Sequence, residues 1–370
     1  MPSDTLHDIK IRGFKSIASI DVALNPINVI IGANGSGKSN FVGAFAFLRE
    51  IGAGRLKEYV RVAGGAEKVL HFGSKTTEKI DLEVYFNIGG FGTQPSPSAY
   101  YLTLAPTADD GLFPSREEIR RSAYPAKSLS EWQLGLEAGI SNPASEIFTK
   151  GKRQQFDFWQ LFHLHDTSYM RKTASVGDNR FLRANGSNLA AFLYYLRMRW
   201  VDSYNLIVQS IRQVAPFFDD FDWPREEDRR DDIQLVWRHK GSDQYFNASS
   251  LSDGTLRFIA LATLFLQPRS MYSNSIFLVD EPELGLHPYA IEILAALIRQ
   301  ASAATQVIVS TQSSLLIDHF EPEDVLVADR VDGGTQLTRL DSGRLKKWLE
   351  DYSLGQLWEK NEFGGRPVPG

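Results

Sequence analysis

Four side chains are of types that could work together chemically: Lys38, Ser39, Asp280 and Glu281. Lys38 and Ser39 close the stretch GANGSGKS (32–39), which satisfies G-x-x-x-x-G-K-[ST]. At ordinary glycine usage, a chance match in a chain of this size is on the order of one in a hundred. Gly32, Gly35 and Gly37 let the backbone curl with its N–H groups inward, a concave nest for phosphate oxygens. A helix starting near Lys38 would add its positive end. Lys38 would then reach the outer phosphates, and the Ser39 hydroxyl could ligate magnesium. The plainer alternative is a glycine turn with no ligand. The apolar run Val29–Ile31 before the loop and the helical spacing after it favour the phosphate reading.

The second pair ends the apolar run SIFLVDEPE (275–283). Adjacent strand residues point to opposite sides, so Asp280 and Glu281 are suited to different tasks. With this strand beside the phosphate loop, Asp280 would hold magnesium directly or through water, and Glu281 would polarise an attacking water. Such general-base help typically contributes about 10²–10⁴-fold. The plainer alternative, two strand-end acids capping the next helix, is disfavoured by the GKS loop elsewhere in the chain.

These residues need a scaffold. The runs at 8–14, 17–24 and 27–32 are strand-like, and the last is apolar on both faces, as in a buried parallel sheet. A helix is expected from Lys38 to about Ile51, with Phe41, Phe45 and Leu48 on one face. Strands are expected at 80–88 and 99–106, then a mainly helical inserted lobe over 107–232. Its clearest helix spans 188–215, with apolar residues every three or four positions up to Pro216. Sheet character returns at 233–239, 275–281 and 305–312, with helices at 253–266 and 288–303 between. Strand–helix alternation of this kind means α/β. The expected organisation is therefore a split core, 1–106 and 233–353, around the lobe, followed by a tail at 354–370.

Composition narrows the classes. Of 370 residues, 43% are hydrophobic and 23% charged, with 45 acidic and 40 basic side chains for a formal charge of −5. A polycation coating nucleic acid is excluded; a local basic groove is not. Cysteine is absent, which excludes disulfides and thiolate metal sites and fits a reducing compartment. No basic leader and no apolar run of bilayer length is present, so a cytoplasmic protein with no membrane partner is expected.

LSDGTLRF (251–258), lying before the 275–283 strand, resembles the signature motif of ABC-type ATPases. IRGFKSI ahead of GANGSGKSN resembles the opening of SMC, RecF and OLD-type heads, and DEPELGLHP their Walker B segment and D-loop. The chain is thus similar to AAA-like ATPases of the ABC/SMC class that serve in phage defence and DNA repair. The resemblance implies an ABC/SMC-type head with a mainly parallel core sheet, an antiparallel N-terminal β portion and an inserted helical lobe. It implies ATP and Mg2+ as ligands, with Asn34, Gly35, Ser36, Gly37, Lys38, Ser39 and Asn40 around the phosphates and Ser39 and Asp280 on the metal. Arg12 matches an arginine that can approach the phosphates. Ser252, Asp253 and Gly254 would meet ATP held by a second copy, making a head-to-tail homodimer around two nucleotides. Catalysis would fall to Glu281, Lys38 and Gln312.

Three features depart from the pattern. Asp253 and Thr255 stand where glycine and glutamine are commoner. Gln312 stands at the switch position, usually histidine; it can donate a hydrogen bond but carries no charge. No glutamine fits a Q-loop well, Gln94 lying in a Gly/Pro-rich turn. About sixty residues follow Gln312, too few for an appended nuclease domain, so a nuclease would be a separate effector chain. His163, His165 and Asp166 could hold metal but are more often structural. In the tail, Leu354, Leu357 and Trp358 either pack internally or dock a partner.

Direct DNA binding would use Lys150, Lys152, Arg153, Arg171, Lys172, Arg180, Arg183, Arg197 and Arg199, though scattered basic residues on a solvated face are commoner. The acid-rich run 219–232 reads as a solvated loop or as a docking edge for a basic partner. Three functions follow: an ATPase controlling DNA or an effector, an ATP-gated scaffold, and, against the large insertion, a transporter ATPase subunit.

Overall fold

The computed structural model describes residues 5–88, 96–121, 140–143, 159–224, 231–272 and 276–366. Among these, one six-stranded sheet has the order Gly334–Arg339, Val325–Val331, Ile27–Ile31, Gln306–Thr311, Ile276–Asp280 and Trp159–Phe162. All neighbours run parallel except the Gly334–Arg339 edge strand. The register aligns the carboxyl ends: Asp280 opposes Ser310, Ser310 opposes Ile30 and Thr311 opposes Ile31. Everything that follows these strands therefore emerges at one edge of the sheet, where open α/β folds bind ligands.

Strand alternation sorts the two faces. Val29, Ile31, Val307 and Val309 pack with the helices Leu189–Arg199, Val201–Val214, Asp253–Leu266 and Pro288–Ser302. Ile30, Ile308, Leu278 and Leu326 face the other way, onto Phe41, Phe45 and Leu48 of helix Lys38–Gly52. That helix lies between the core and a second, antiparallel sheet, whose strand Leu6–Phe14 turns Ile9 and Ile11 onto the same cluster. Burying a Leu, Ile or Phe contributes about 1.5–3 kcal/mol, so the helix that starts at Lys38 is firmly clamped on both sides.

Four elements differ from the sequence reading. The stretch expected as helical lobe from 107 adds strand Leu112–Arg121 to the antiparallel sheet, beside Ser96–Pro106. Its Pro114 and charges read as loop, and Pro114 falls where the register shifts after Thr103. The four residues Trp159–Phe162 join the core sheet beside Ile276–Asp280, too short a run to show periodicity. The helix expected over 188–215 breaks at Trp200, whose φ of −140° and ψ of 59° are non-helical. Spacings of four carry through Leu196, Trp200 and Tyr204, so periodicity cannot reveal the break. Leu196 and Tyr204 are buried while Trp200 is 39% exposed. The strand expected at 233–239 is likewise interrupted, into Asp232–Ile233 and Val236–His239. No described helix is long and apolar enough to cross a membrane.

Candidate nucleotide site

The loop after Ile31 is built as a nest. Gly35 and Gly37 lie at φ +80° and +101°, in the left-handed region that favours glycine. A side chain at Gly37 would also strike Thr335 on the edge strand Gly334–Arg339. Gly37 offers no side-chain cap to helix Lys38–Gly52, and of the N–H groups of Lys38, Ser39 and Asn40 only the last bonds back among the described residues, to the Gly37 carbonyl at 3.0 Å. The Ser36 hydroxyl is buried with no partner among the described residues, an orphan that a phosphate oxygen would satisfy. Asn34 and Ser39 are exposed at the rim. Asn40 Nδ2 donates to Ser16 Oγ at 2.7 Å, and that hydroxyl meets Thr335 Oγ1 at 2.7 Å.

Lys38 is 5% exposed and its ammonium donates to the carbonyls of Gly32 at 2.6 Å and Ala33 at 2.9 Å. Burial lowers its pKa, while Glu281, Asp280 and Glu283 act to raise it. The structure thus brings Lys38, Asp280 and Glu281 into one electrostatic neighbourhood. An Asp280 Oδ1 accepts from the Ser310 hydroxyl, and His165 Nε2 donates to the Asp280 carbonyl at 2.9 Å. His163 Nδ1 lies 3.9 Å from Asp280 Oδ2, and burial lowers the His163 pKa against the pull of that carboxylate.

Glu281 turns out of the strand at φ +41°, a left-handed conformation rare for a side chain with a Cβ and one that concentrates at functional sites. Its N–H still donates to Ser310 O at 2.8 Å, and its carboxylate accepts from Gln312 Nε2. Glu283, which sequence reasoning passed over, is the most enclosed acid here. It accepts from Thr311 Oγ1 at 2.5 Å and from the Gln312 N–H at 3.2 Å, while its other oxygen is buried and unpartnered. Burial pushes its carboxyl pKa up. It stands in the quoted DEPE run, but only the distant strand Gln306–Thr311 makes its environment visible.

Ser252 caps helix Asp253–Leu266, its Oγ accepting from the Thr255 N–H at 3.1 Å. Ser252 and Asp253 are exposed. Asp253 answers its own oddity: its carboxylate accepts from Arg171 Nη2 and from Thr167 Oγ1, each at 2.5 Å. Those bonds hold its carboxyl pKa down. Gly254 packs on the Gly285 carbonyl so closely that no side chain fits. Beneath them Arg257 is buried, donating to the carbonyls of Leu164 at 3.0 Å, His165 at 2.9 Å and Leu284. One guanidinium therefore ties together the helix after the signature motif, the His165 segment and the loop after Glu283.

Other expected residues are engaged by partners or left open. Arg12 is on the antiparallel sheet, 3.3 Å from Glu83 Oε1. Arg171 and Arg183 are engaged by Asp253 and Asp178. Gln94, Lys150, Lys152 and Arg153 lie outside the described residues, as does part of the acidic run 219–232. Among the described residues no three His, Cys, Asp or Glu side chains group as a metal site. Magnesium held by one carboxylate, one hydroxyl and phosphate oxygens requires no such group.

A parallel core sheet, a nest at its carboxyl edge and an acid pair at the end of the strand Ile276–Asp280, one strand removed, define a P-loop ATPase of the ABC/SMC type. A family model described as "AAA domain, putative AbiEii toxin, Type IV TA system" matches residues 27–318, and the chain belongs to that family. It is 22% identical over 395 residues to the Old nuclease of Escherichia phage P2, covering 94% of this chain and 63% of that protein. It is 34% identical over 86 residues to the DNA replication and repair protein RecF of Renibacterium salmoninarum, 22% of each. The chain thus spans less than two thirds of the length of either relative. A solved Smc head bound to the C-winged helix domain of ScpA shares its fold, with a TM-score of 0.63, 17% identity and coverage of 92% of this chain and 99% of that one.

Proposed function

We propose that this protein binds ATP with Mg2+ in the nest at residues 32–39, hydrolyses it, and in doing so pairs head to tail with a second copy. The observation that carries this reading is the meeting of Lys38, Asp280, Glu281 and Gln312 at one sheet edge, beside a buried, unpartnered Ser36 hydroxyl. Ser39 and Asp280 would hold the metal, which supplies charge neutralisation to the phosphates. Glu281 would orient the attacking water, and the third donor of the Lys38 ammonium would reach the phosphate oxygens while two stay on the loop carbonyls. Ser252, exposed at the start of a helix, and the N–H of Gly254 would meet the nucleotide of the other copy, while the Asp253 carboxylate stays with Arg171 and Thr167. Exposed Leu284, Tyr289 and Leu315 would supply apolar area to that pairing.

ATP occupancy would then control DNA or a separate effector, with a nuclease the leading class, in phage defence or DNA repair. The similarity to Old nuclease and RecF supports that direction. An ATP-gated scaffold with little turnover is a second reading, favoured by the bond from Gln312 to Glu281, which occupies the carboxylate that would act as base. Phosphate release by the purified protein, with and without Glu281→Gln, tests the first reading. Equal rates would remove Glu281 from catalysis. Intact effector recruitment by a Glu281→Gln protein that no longer turns over ATP would select the scaffold.

A further inference from the structure

The peptide joining Gly32 to Ala33 is held from two sides. Its carbonyl accepts from Lys38 Nζ at 2.6 Å, and its N–H donates to the carbonyl of Gly365 at 2.7 Å. In a trans peptide these groups point in opposite directions. Lys38 therefore holds the inner side of the phosphate loop and a residue more than three hundred positions later holds the outer side.

That later residue is itself built in. Gly364 and Gly365 are consecutive left-handed residues, at φ +85° and +81°, which turn the chain back onto the loop. The Gly365 N–H donates to Asp329 Oδ2 at 3.0 Å, on the core strand next to Ile27–Ile31. A Cβ at Gly365 would lie 2.8 Å from Val327 Cγ1, 3.2 Å from the Trp358 indole nitrogen and 3.6 Å from the Gly32 Cα. The segment is anchored upstream by helix Leu354–Glu359, whose Leu354 and Leu357 are in the core. Two bonds fasten that helix beside the switch: Gly355 N–H to Asp318 Oδ1 at 2.5 Å and Ser314 Oγ to Glu359 Oε1 at 2.6 Å.

We propose that residues 354–366 are a strap that sets the shape of the phosphate loop, with Gly365 and Asp329 as its positioning residues. The proposal rests on the reading of that loop as the ATP site. By fixing the 32–33 peptide, the strap aims the Gly32 carbonyl at the Lys38 ammonium. It also takes the Ala33 N–H out of the nest and keeps the loop from closing on itself. Binding energy that would otherwise be spent on ordering the loop is retained for the nucleotide.

The test uses the full chain with Gly365→Val and, separately, Asp329→Ala. Titration calorimetry with Mg-ATP is paired with thermal melting in the absence of nucleotide. The expected result is about tenfold weaker ATP binding in both variants, equivalent to ~1.4 kcal/mol. KM should rise more than kcat falls, since neither residue touches the reacting phosphate. Parent-like affinity in Asp329→Ala overturns the strap, whether or not Gly365→Val folds. So does a lowered melting point with unchanged affinity, which would make the segment packing alone. If the parent protein itself binds no ATP, the site reading falls and the strap with it.

Discussion

The side-chain amide of Gln312 donates a hydrogen bond to the carboxylate of Glu281, joining the first residue after one core strand to the first residue after its neighbour. The acid suited to the role of base is thus held by a neutral donor that keeps its hydrogen at every physiological pH.

Glu281→Gln should reduce ATP hydrolysis by about 10²–10⁴-fold, the usual size of a lost general base. Binding should survive, because Lys38 and the nest are untouched. The trapped species should run as a dimer when light scattering is measured in Mg-ATP, and as a monomer without nucleotide.

Complementation tests the shared site directly. Lys38→Ala and Ser252→Arg proteins should each be inactive alone. Mixed in equal amounts, they should recover ATPase activity, because one of the two sites in a mixed pair contains an intact Lys38 and the partner's intact Ser252 is available to it. Mixtures that stay as inactive as their parts would end the head-to-tail reading.

Gln312→His places a group of ordinary pKa about 6.5 where the parent has none. The parent rate should carry no titration from this position between pH 6 and 8. In the variant kcat should change with pH across that range, and a pH–rate profile taken on both proteins gives the comparison.

Glu283 predicts a stability effect with a definite sign. Burial raises its carboxyl pKa in the folded state above the ordinary 4.5. As pH climbs past 4.5 the unfolded chain releases this proton first, so the folded state loses relative stability until its own pKa is passed. The contribution is complete below the unfolded pKa and is lost as pH rises through the folded one. Glu283→Gln cannot titrate. Its melting temperature relative to the parent should therefore improve from pH 4.5 towards neutrality, as read by calorimetry across that window.

How much could be read without coordinates follows the range of each signal. The loop 32–39 and the acids at 280 and 281 are contiguous, and each sits at the end of an apolar strand, so local sequence carries them. The helix expected from Lys38 to about Ile51 is observed as Lys38–Gly52 for the same reason. Trp159–Phe162 carries no period, yet its place beside Ile276–Asp280 is what brings His163 and His165 to Asp280. Sequence alone shows His163 and His165 without that neighbour. Asp253 stood out as a departure from the signature because its compensating partners, Arg171 and Thr167, are some eighty residues away in the chain. Glu283 and Gly365 were hidden in the same way, since both depend on contacts with segments remote in sequence.

The order of strands in the core sheet has a consequence for biosynthesis. The phosphate loop leaves the ribosome long before its sheet neighbours: Ile27–Ile31 is flanked by Gln306–Thr311 and Val325–Val331, both more than 270 residues later in the chain. Partnerships spanning this much chain close late, after the entropy of the intervening loop has been spent. A growing polypeptide would therefore complete the proposed triphosphate pocket only after the strand Gln306–Thr311 has emerged, and a product truncated before that strand should have no nucleotide affinity.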